Sequence, residues 1–133
     1  MRYLLDTNVW IHYLKHVGSL VEARLRRTPV QEVAVCSVVW AELLHGARKY
    51  EKRDERVARI ERTLGLYRSL PFDDAAARRY AEIRDALETR GEIIGPHDLL
   101  IAAIALTHRL TLVTNNREFS RVPGLMTEDW TAP

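Results

Sequence analysis

Short unbroken apolar runs alternate along this chain with longer stretches in which apolar residues recur at helical spacing. The first run, Arg2 to Leu5, stops at Asp6-Thr7-Asn8 and predicts a buried strand followed by a polar turn, with Asp6 at the strand's carboxyl end. Val9, Trp10, Tyr13 and Leu14 then hold one helical face until Gly18-Ser19, and a second helix runs from about Leu20 to Arg27, where Thr28-Pro29 breaks it. Val33 to Cys36 predicts a second strand. Ser37 is placed to cap the helix that follows, whose stripe is Val39, Leu43 and Ala47 and whose second turn carries Glu42. From Lys49 to Arg62 the chain is heavily charged, with only Val57, Ile60 and then Leu64 on an apolar stripe, so a solvated helix is expected and the charge run calls for no functional role.

Leu70-Pro71-Phe72 reads as a short strand or connector, after which Asp73 caps a helix through about Thr89, ending at Arg90-Gly91. Gly95-Pro96 opens a further helix, since proline suits a first helical position, and Leu99, Leu100, Ala103, Ile104 and Leu106 make it apolar nearly all round. Asp98 lies in its first turn. Leu110 to Thr114 is rich in β-formers and ends at Asn115-Asn116, and Leu125-Met126-Thr127 follows Pro123-Gly124 as a last short strand. Strands alternate with helices throughout, which predicts an α/β fold with helices on both faces of a parallel sheet. No repeat, linker or low-complexity tract interrupts the pattern.

Length and composition narrow the class. At 133 residues the chain is expected to be one domain over 1–133, large enough to bury roughly two thirds of its unfolded surface without staples. The one cysteine, Cys36, sits in an apolar run and has no partner for a disulfide within the chain, which points to a reducing compartment and a core role. With no leader-like amino terminus and no run of transmembrane length, the expectation is a soluble cytoplasmic protein with no membrane contact. The net charge is only +2, but its basic side is 17 Arg against 3 Lys, and the guanidinium fork suits phosphate. A GC-rich genome would give the same bias.

Asp6, Glu42 and Asp98 are separated by 36 and then 56 residues, too far apart for a contiguous metal loop such as an EF-hand. In open α/β sheets, however, strand ends and helix starts from distant parts of the chain meet at one crevice. Each acid also has an ordinary explanation. Asp98 is what a helix dipole favours, and Glu42 is a good helix former, although its neighbours Trp40, Ala41, Leu43 and Leu44 are apolar. Asp6 is harder to explain away, because a carboxylate directly after a buried strand is costly unless it is hydrogen-bonded, paired or bound to a cation. Thr7 and Asn8 beside it can orient the carboxylate or a bound water, or simply shape the turn. A carboxylate cluster with few basic partners prefers a hard divalent cation, and such sites serve metal-assisted phosphodiester hydrolysis.

Other motifs carry less. His12 and His16 are spaced for zinc but lack a third ligand, His45, His97 and His108 are scattered, and no phosphate-binding glycine loop is present. Trp10 and Trp40 lie within a turn of an acid, where core packing or a dimer interface explains them better than stacking on bases. A phosphoacceptor receiver domain would need a second acid near the amino terminus and a lysine after a late strand, whereas the lysines are Lys15, Lys49 and Lys52. An aspartyl-phosphate phosphatase would want an acid where Asn8 stands.

In order along the chain, Leu4-Leu5-Asp6-Thr7-Asn8, Ser37 to Leu43, Ile94 to Ala103, and Leu112 to Asn116 with Phe119, Val122 to Leu125 and Trp130 resemble the PIN-domain ribonucleases, and within them the VapC toxins of type II toxin–antitoxin systems. The resemblance spans almost the whole chain. It implies a three-layer α/β/α PIN fold with a parallel sheet of four to five strands. It also implies a Mg²⁺- or Mn²⁺-dependent endoribonuclease that hydrolyses RNA, with tRNA and ribosomal RNA in view, leaving 3′-hydroxyl and 5′-phosphate ends. By the same resemblance Asp6, Glu42 and Asp98 carry over as metal ligands, and Asn116 takes the place of a fourth acid found in many PIN domains, with Glu118 as an alternative source of charge. Thr7, Asn8 and Thr114 are expected around them, and His97 stands where a neutral polar residue is expected, so that touching substrate or biasing the local pKa is set beside the better reading, a plain helix start. The implied partners are a VapB-type antitoxin, a second copy of the chain in a homodimer, and operator DNA in the higher assembly. A PIN-like regulatory module without nuclease activity is the rival reading, and the intact acids speak against it.

Overall fold

Most of the short apolar runs become strands of one sheet. The computed structural model describes residues 1–133, and Tyr3–Leu5 (β1), Val33–Cys36 (β2), Arg68–Leu70 (β3), Thr111–Val113 (β4) and Thr127–Glu128 (β5) lie in the order β3-β2-β1-β4-β5. All four pairings are parallel. Parallel neighbours need crossovers, and these are supplied by helices Thr7–Lys15 (α1), Leu20–Arg27 (α2), Ser37–Ala47 (α3), Arg53–Leu64 (α4), Asp74–Thr89 (α5) and Pro96–Thr107 (α6). The result is the expected α/β/α layering around a five-stranded sheet.

The central strands read as continuous apolar runs because both of their faces are covered. Leu4, Leu5, Val33 to Cys36, Leu112 and Val113 are fully buried. Helix α6 is apolar all round for the same reason, packing against α5 on one side and α3 and β4 on the other. Cys36 is a core residue, and no helix is long and apolar enough to cross a membrane.

Four local readings change. Asp6-Thr7-Asn8 is not a turn: Asp6 caps α1, which starts at Thr7, because the Asp6 carboxylate accepts from the Val9 N–H. Ser37 does not cap α3. It is the first helical residue, Cys36 stands at the cap without a side-chain bond, and the Ser37 hydroxyl instead accepts from the Phe72 N–H at 3.3 Å. The connector at residues 70–72 is preceded by the true strand, Arg68–Leu70, since Pro71 lacks the N–H a ladder needs. The charged helix begins only at Arg53, after a turn in which Lys52 adopts a left-handed φ of 60°.

The end of α5 is as the sequence predicts. Gly91 takes a φ of 66°, its N–H donates to the Glu88 carbonyl at 3.1 Å, and the Glu92 N–H donates to the Leu87 carbonyl at 2.9 Å, the paired bonds of a Schellman cap. A Cβ at position 91 meets no neighbour, so any penalty is purely conformational. Gly91→Ala is therefore expected to lower the unfolding free energy by about 1 kcal/mol, read from urea denaturation, with no effect on the distant sheet end.

Candidate active site

Sheet register brings the first two functional groups together. Leu5 pairs with Val113, so the next residues, Asp6 and Thr114, leave the sheet side by side, and the Asp6 N–H donates to the Val113 carbonyl at 3.0 Å. The Thr114 hydroxyl donates to Asp6 Oδ2, while Asp6 Oδ1 accepts from the Val9 N–H at 3.0 Å. The Thr114 oxygen in turn accepts from the Asn116 N–H at 3.0 Å, so the loop after β4 is tied to the carboxylate after β1.

Asp6 is only 4 % exposed. Burial pushes its carboxyl from the ordinary 3.8 up to about 6, the bonds from Thr114 and Val9 hold it down, and the charges of Asp98 and Glu42 push it further up. Asp98, half-buried in the first turn of α6, is also raised, first by burial and then by the charges of Glu42 and Glu118, with His97 acting in the opposite sense. Charges carried by residues far apart in the chain therefore reach both Asp6 and Asp98.

Each acid is held by a different neighbour. Glu42, on the second turn of α3, accepts from the Thr7 hydroxyl at 2.5 Å through Oε1, and its Oε2 lies 3.4 Å from His97 Nδ1. Asp98 Oδ2 accepts from Asn116 Nδ2 at 3.4 Å, and Asn116 Oδ1 accepts from the Glu118 N–H at 3.0 Å to cap the 3₁₀ turn Arg117–Arg121. Glu118 itself turns to Arg121 at 3.4 Å. The structure thus gathers Asp6, Glu42, Asp98, Asn116, Thr7 and Thr114 at the carboxyl ends of β1, β2 and β4. Asn8 is exposed and makes no side-chain hydrogen bond to any of them. No three carboxylate, imidazole or thiol groups close on one point. Like charges separate when nothing positive lies between them, and here each carboxylate has taken a hydroxyl, an amide or an imidazole. Their oxygens nonetheless form the hard, anionic donor set that a Mg²⁺- or Mn²⁺-type cation prefers, and mutual repulsion is what such an ion would relieve. His12 and His16 stack on each other, ring centroids 4.6 Å apart, with no third ligand.

The description "PIN domain" fits residues 3–125 as a family model. Over 132 residues the chain is 36% identical to "Ribonuclease VapC2" of Rickettsia felis, covering 98% of each protein. The chain belongs to the PIN domain family, in its VapC group. A second VapC relative, "tRNA(fMet)-specific endonuclease VapC" of Shigella flexneri, is 37% identical over 131 residues, again with 98% of each chain covered. Among solved structures, VapBC2 from Rickettsia felis bound to a DNA fragment from its promoter superposes with a TM-score of 0.89 at 34% identity, covering 98% of this chain and 99% of that one.

Within this PIN domain, two contacts lay beyond the sequence reading. The role of Asp6 as a helix cap was signalled by an Asp just before a helical stripe, a pattern that reads as an N-cap. The approach of His97 to Glu42 had no signal, because it links residues 55 apart across two helices.

Proposed function

We propose that residues 1–133 act as a single PIN domain with divalent-metal-dependent endoribonuclease activity, hydrolysing RNA by in-line attack of water and restrained by a VapB-type antitoxin. One observation carries the reading. Asp6, Glu42 and Asp98 converge at the carboxyl ends of parallel strands closely enough for the charges of Asp98 and Glu42 to raise Asp6 and for that of Glu42 to raise Asp98. Names of relatives agree with it, since the Rickettsia felis and Shigella flexneri proteins are called ribonuclease and endonuclease.

Asp6, Glu42 and Asp98 would hold the cation, with Asn116 as a neutral fourth member. Mg²⁺ or Mn²⁺ in such a site supplies a water of lowered pKa and offsets charge that builds on the scissile phosphate. The chain's own residues do the rest. Thr114 and the Val9 N–H fix the Asp6 carboxylate in orientation and favour its charged form. Thr7 does the same for Glu42, and the Asn116 amide does so for Asp98. Because Asn116 is neutral, the cluster carries one negative charge fewer than a four-acid site, which lowers the repulsion toward an incoming phosphate.

The Thr114 hydroxyl is the most testable of these supports. Thr114→Val is expected to cost about 10- to 100-fold in metal affinity or cleavage rate, whereas Thr114→Ser, which keeps the donor, retains most of both. Metal affinity by calorimetry separates this from general damage.

The reading extends to assembly. The Rickettsia felis structure is of VapBC2 bound to a promoter DNA fragment, which supports a VapB-type partner and an operator-bound complex here; a homodimer of the toxin chain is part of the same proposal. The direct test incubates the purified chain with total RNA, with Mn²⁺ or Mg²⁺ and again with EDTA, and sequences the new ends. Fragments bearing 5′-phosphates that vanish in EDTA are expected. Metal-independent cleavage, or none in either condition, overturns the proposal.

A further inference from the structure

The acids at the centre of this site repel the phosphates of the RNA assigned to it. Binding strength must therefore come from cations outside the centre, and Glu42 is a wall that the centre shares with a neighbouring groove. That groove, about 230 Å³, runs between α1, α3 and α4 from Glu42 past Lys15, Arg56 and Arg59 to Tyr50 over an apolar floor. Glu42 is the only acid lining it.

Its cations have no carboxylate partner, and Arg56 donates only to the Glu51 carbonyl, at 3.1 Å. None of Lys15, Arg56 and Arg59 pairs with a carboxylate, whereas Arg121 is paired with Glu118. Residues 48–62 hold seven basic against four acidic residues, a net +3 in a chain whose total is +2. Only Arg53 and Asp54 approach each other there, at 3.9 Å and with both side chains largely exposed. Tyr50 is 64% exposed, and the Arg56 guanidinium lies 5.4 Å from its ring centroid. An exposed aromatic ring among unpaired cations is the arrangement that tracks a single-stranded backbone and stacks a base.

The geometry points to this groove as the RNA track of the site: Lys15, Arg56 and Arg59 take phosphates of the strand on one side of the scissile bond, and Tyr50 stacks a base. This rests on the ribonuclease reading above. It also gives the charged 48–62 segment a function that its pattern alone did not suggest.

The test measures binding of a short fluorescein-labelled oligouridylate by anisotropy at several salt concentrations, in an Asp6→Asn background with Mg²⁺ so that cleavage does not interfere. Adding Arg56→Gln and Arg59→Gln together is expected to weaken binding at least several-fold and to flatten the dependence of log K on log salt by about 1.4, or ~0.7 per lost phosphate contact. Tyr50→Ala weakens binding with little change in that slope. A control pair on α5, Arg78→Gln with Arg79→Gln, leaves both quantities unchanged, which separates local contact from overall charge. RNA binding indifferent to Arg56 and Arg59 overturns the track alone. Loss of binding to a co-expressed partner protein, with RNA binding intact, also overturns it and gives the groove to a peptide. If the Asp6→Asn protein binds no RNA at all, the ribonuclease reading itself falls.

Discussion

Asp6→Asn is expected to lower RNA cleavage by roughly 10³-fold, since one lost carboxylate removes several kcal/mol of charge stabilisation at the scissile phosphate. The same substitution is expected to make the protein more stable. In the absence of metal, Asp6 binds its proton more tightly when folded than when unfolded, with the value raised from 3.8 to about 6. A carboxyl shifted in this direction contributes stability that is fully present below about pH 4 and is lost as pH climbs through about 6. At pH 7.5 the ionised group thus costs the fold up to about 3 kcal/mol. Asn keeps an acceptor for Val9 and offers Thr114 a donor, and it carries no charge to bury. In EDTA the melting temperature should therefore rise at pH 7.5 by on the order of 10 °C and scarcely change at pH 4. An equal gain at both pH values would show that burial of charge is not its source. Retained cleavage by a well-folded variant would remove Asp6 from the site.

The largest loss of stability is expected from Trp10→Ala, about 4 kcal/mol, because Trp10 is completely buried and packs against Tyr13 and Tyr67 with ring centroids 6.0 and 5.3 Å away. That is a large share of the 5–15 kcal/mol typical of a domain. Trp10→Phe should behave quite differently. The indole Nε1–H of Trp10 has no hydrogen-bond partner, and a buried orphan donor costs about 1–3 kcal/mol. Phe removes that donor while keeping most of the ring, so its net effect should lie within about 1 kcal/mol of zero. Urea midpoints for the two variants decide it, and a Phe variant as unstable as the Ala variant would show that indole shape outweighs the orphaned N–H. Trp10 lies one turn after Thr7 on α1, so the Ala variant should also loosen the hydroxyl that holds Glu42.

How far the site could be read beforehand follows from the range of each interaction. Strand and helix rhythm is local, so β1, β2, β4 and all six helices were legible, and with them the placing of Asp6, Glu42 and Asp98 at strand and helix ends. β3 was misplaced by its proline, and Ser37 was misread because its hydroxyl serves Phe72, 35 residues away, in place of its own helix. Asn116 could be recognised as the fourth member only by resemblance, since its bond to Asp98 depends on how the loop after β4 folds over α6. The charged 48–62 segment is the clearest limit. Charge composition marks a solvated face, but which cations remain unpaired and which share a wall with Glu42 depends on packing between α1, α3 and α4.

The strand order also sets a schedule. β1 lies between β2 and β4, so Asp6 has one neighbouring strand from the first third of the chain and the other only after Val113 has been made. Once β3 has been made, Asp6 and Glu42 are in the chain, but Asp98, Thr114 and Asn116 have yet to be added. Synthesis runs from the amino terminus, and pairings this distant in sequence form late. The cluster around Asp6 is thus incomplete until the chain has been made through Asn116.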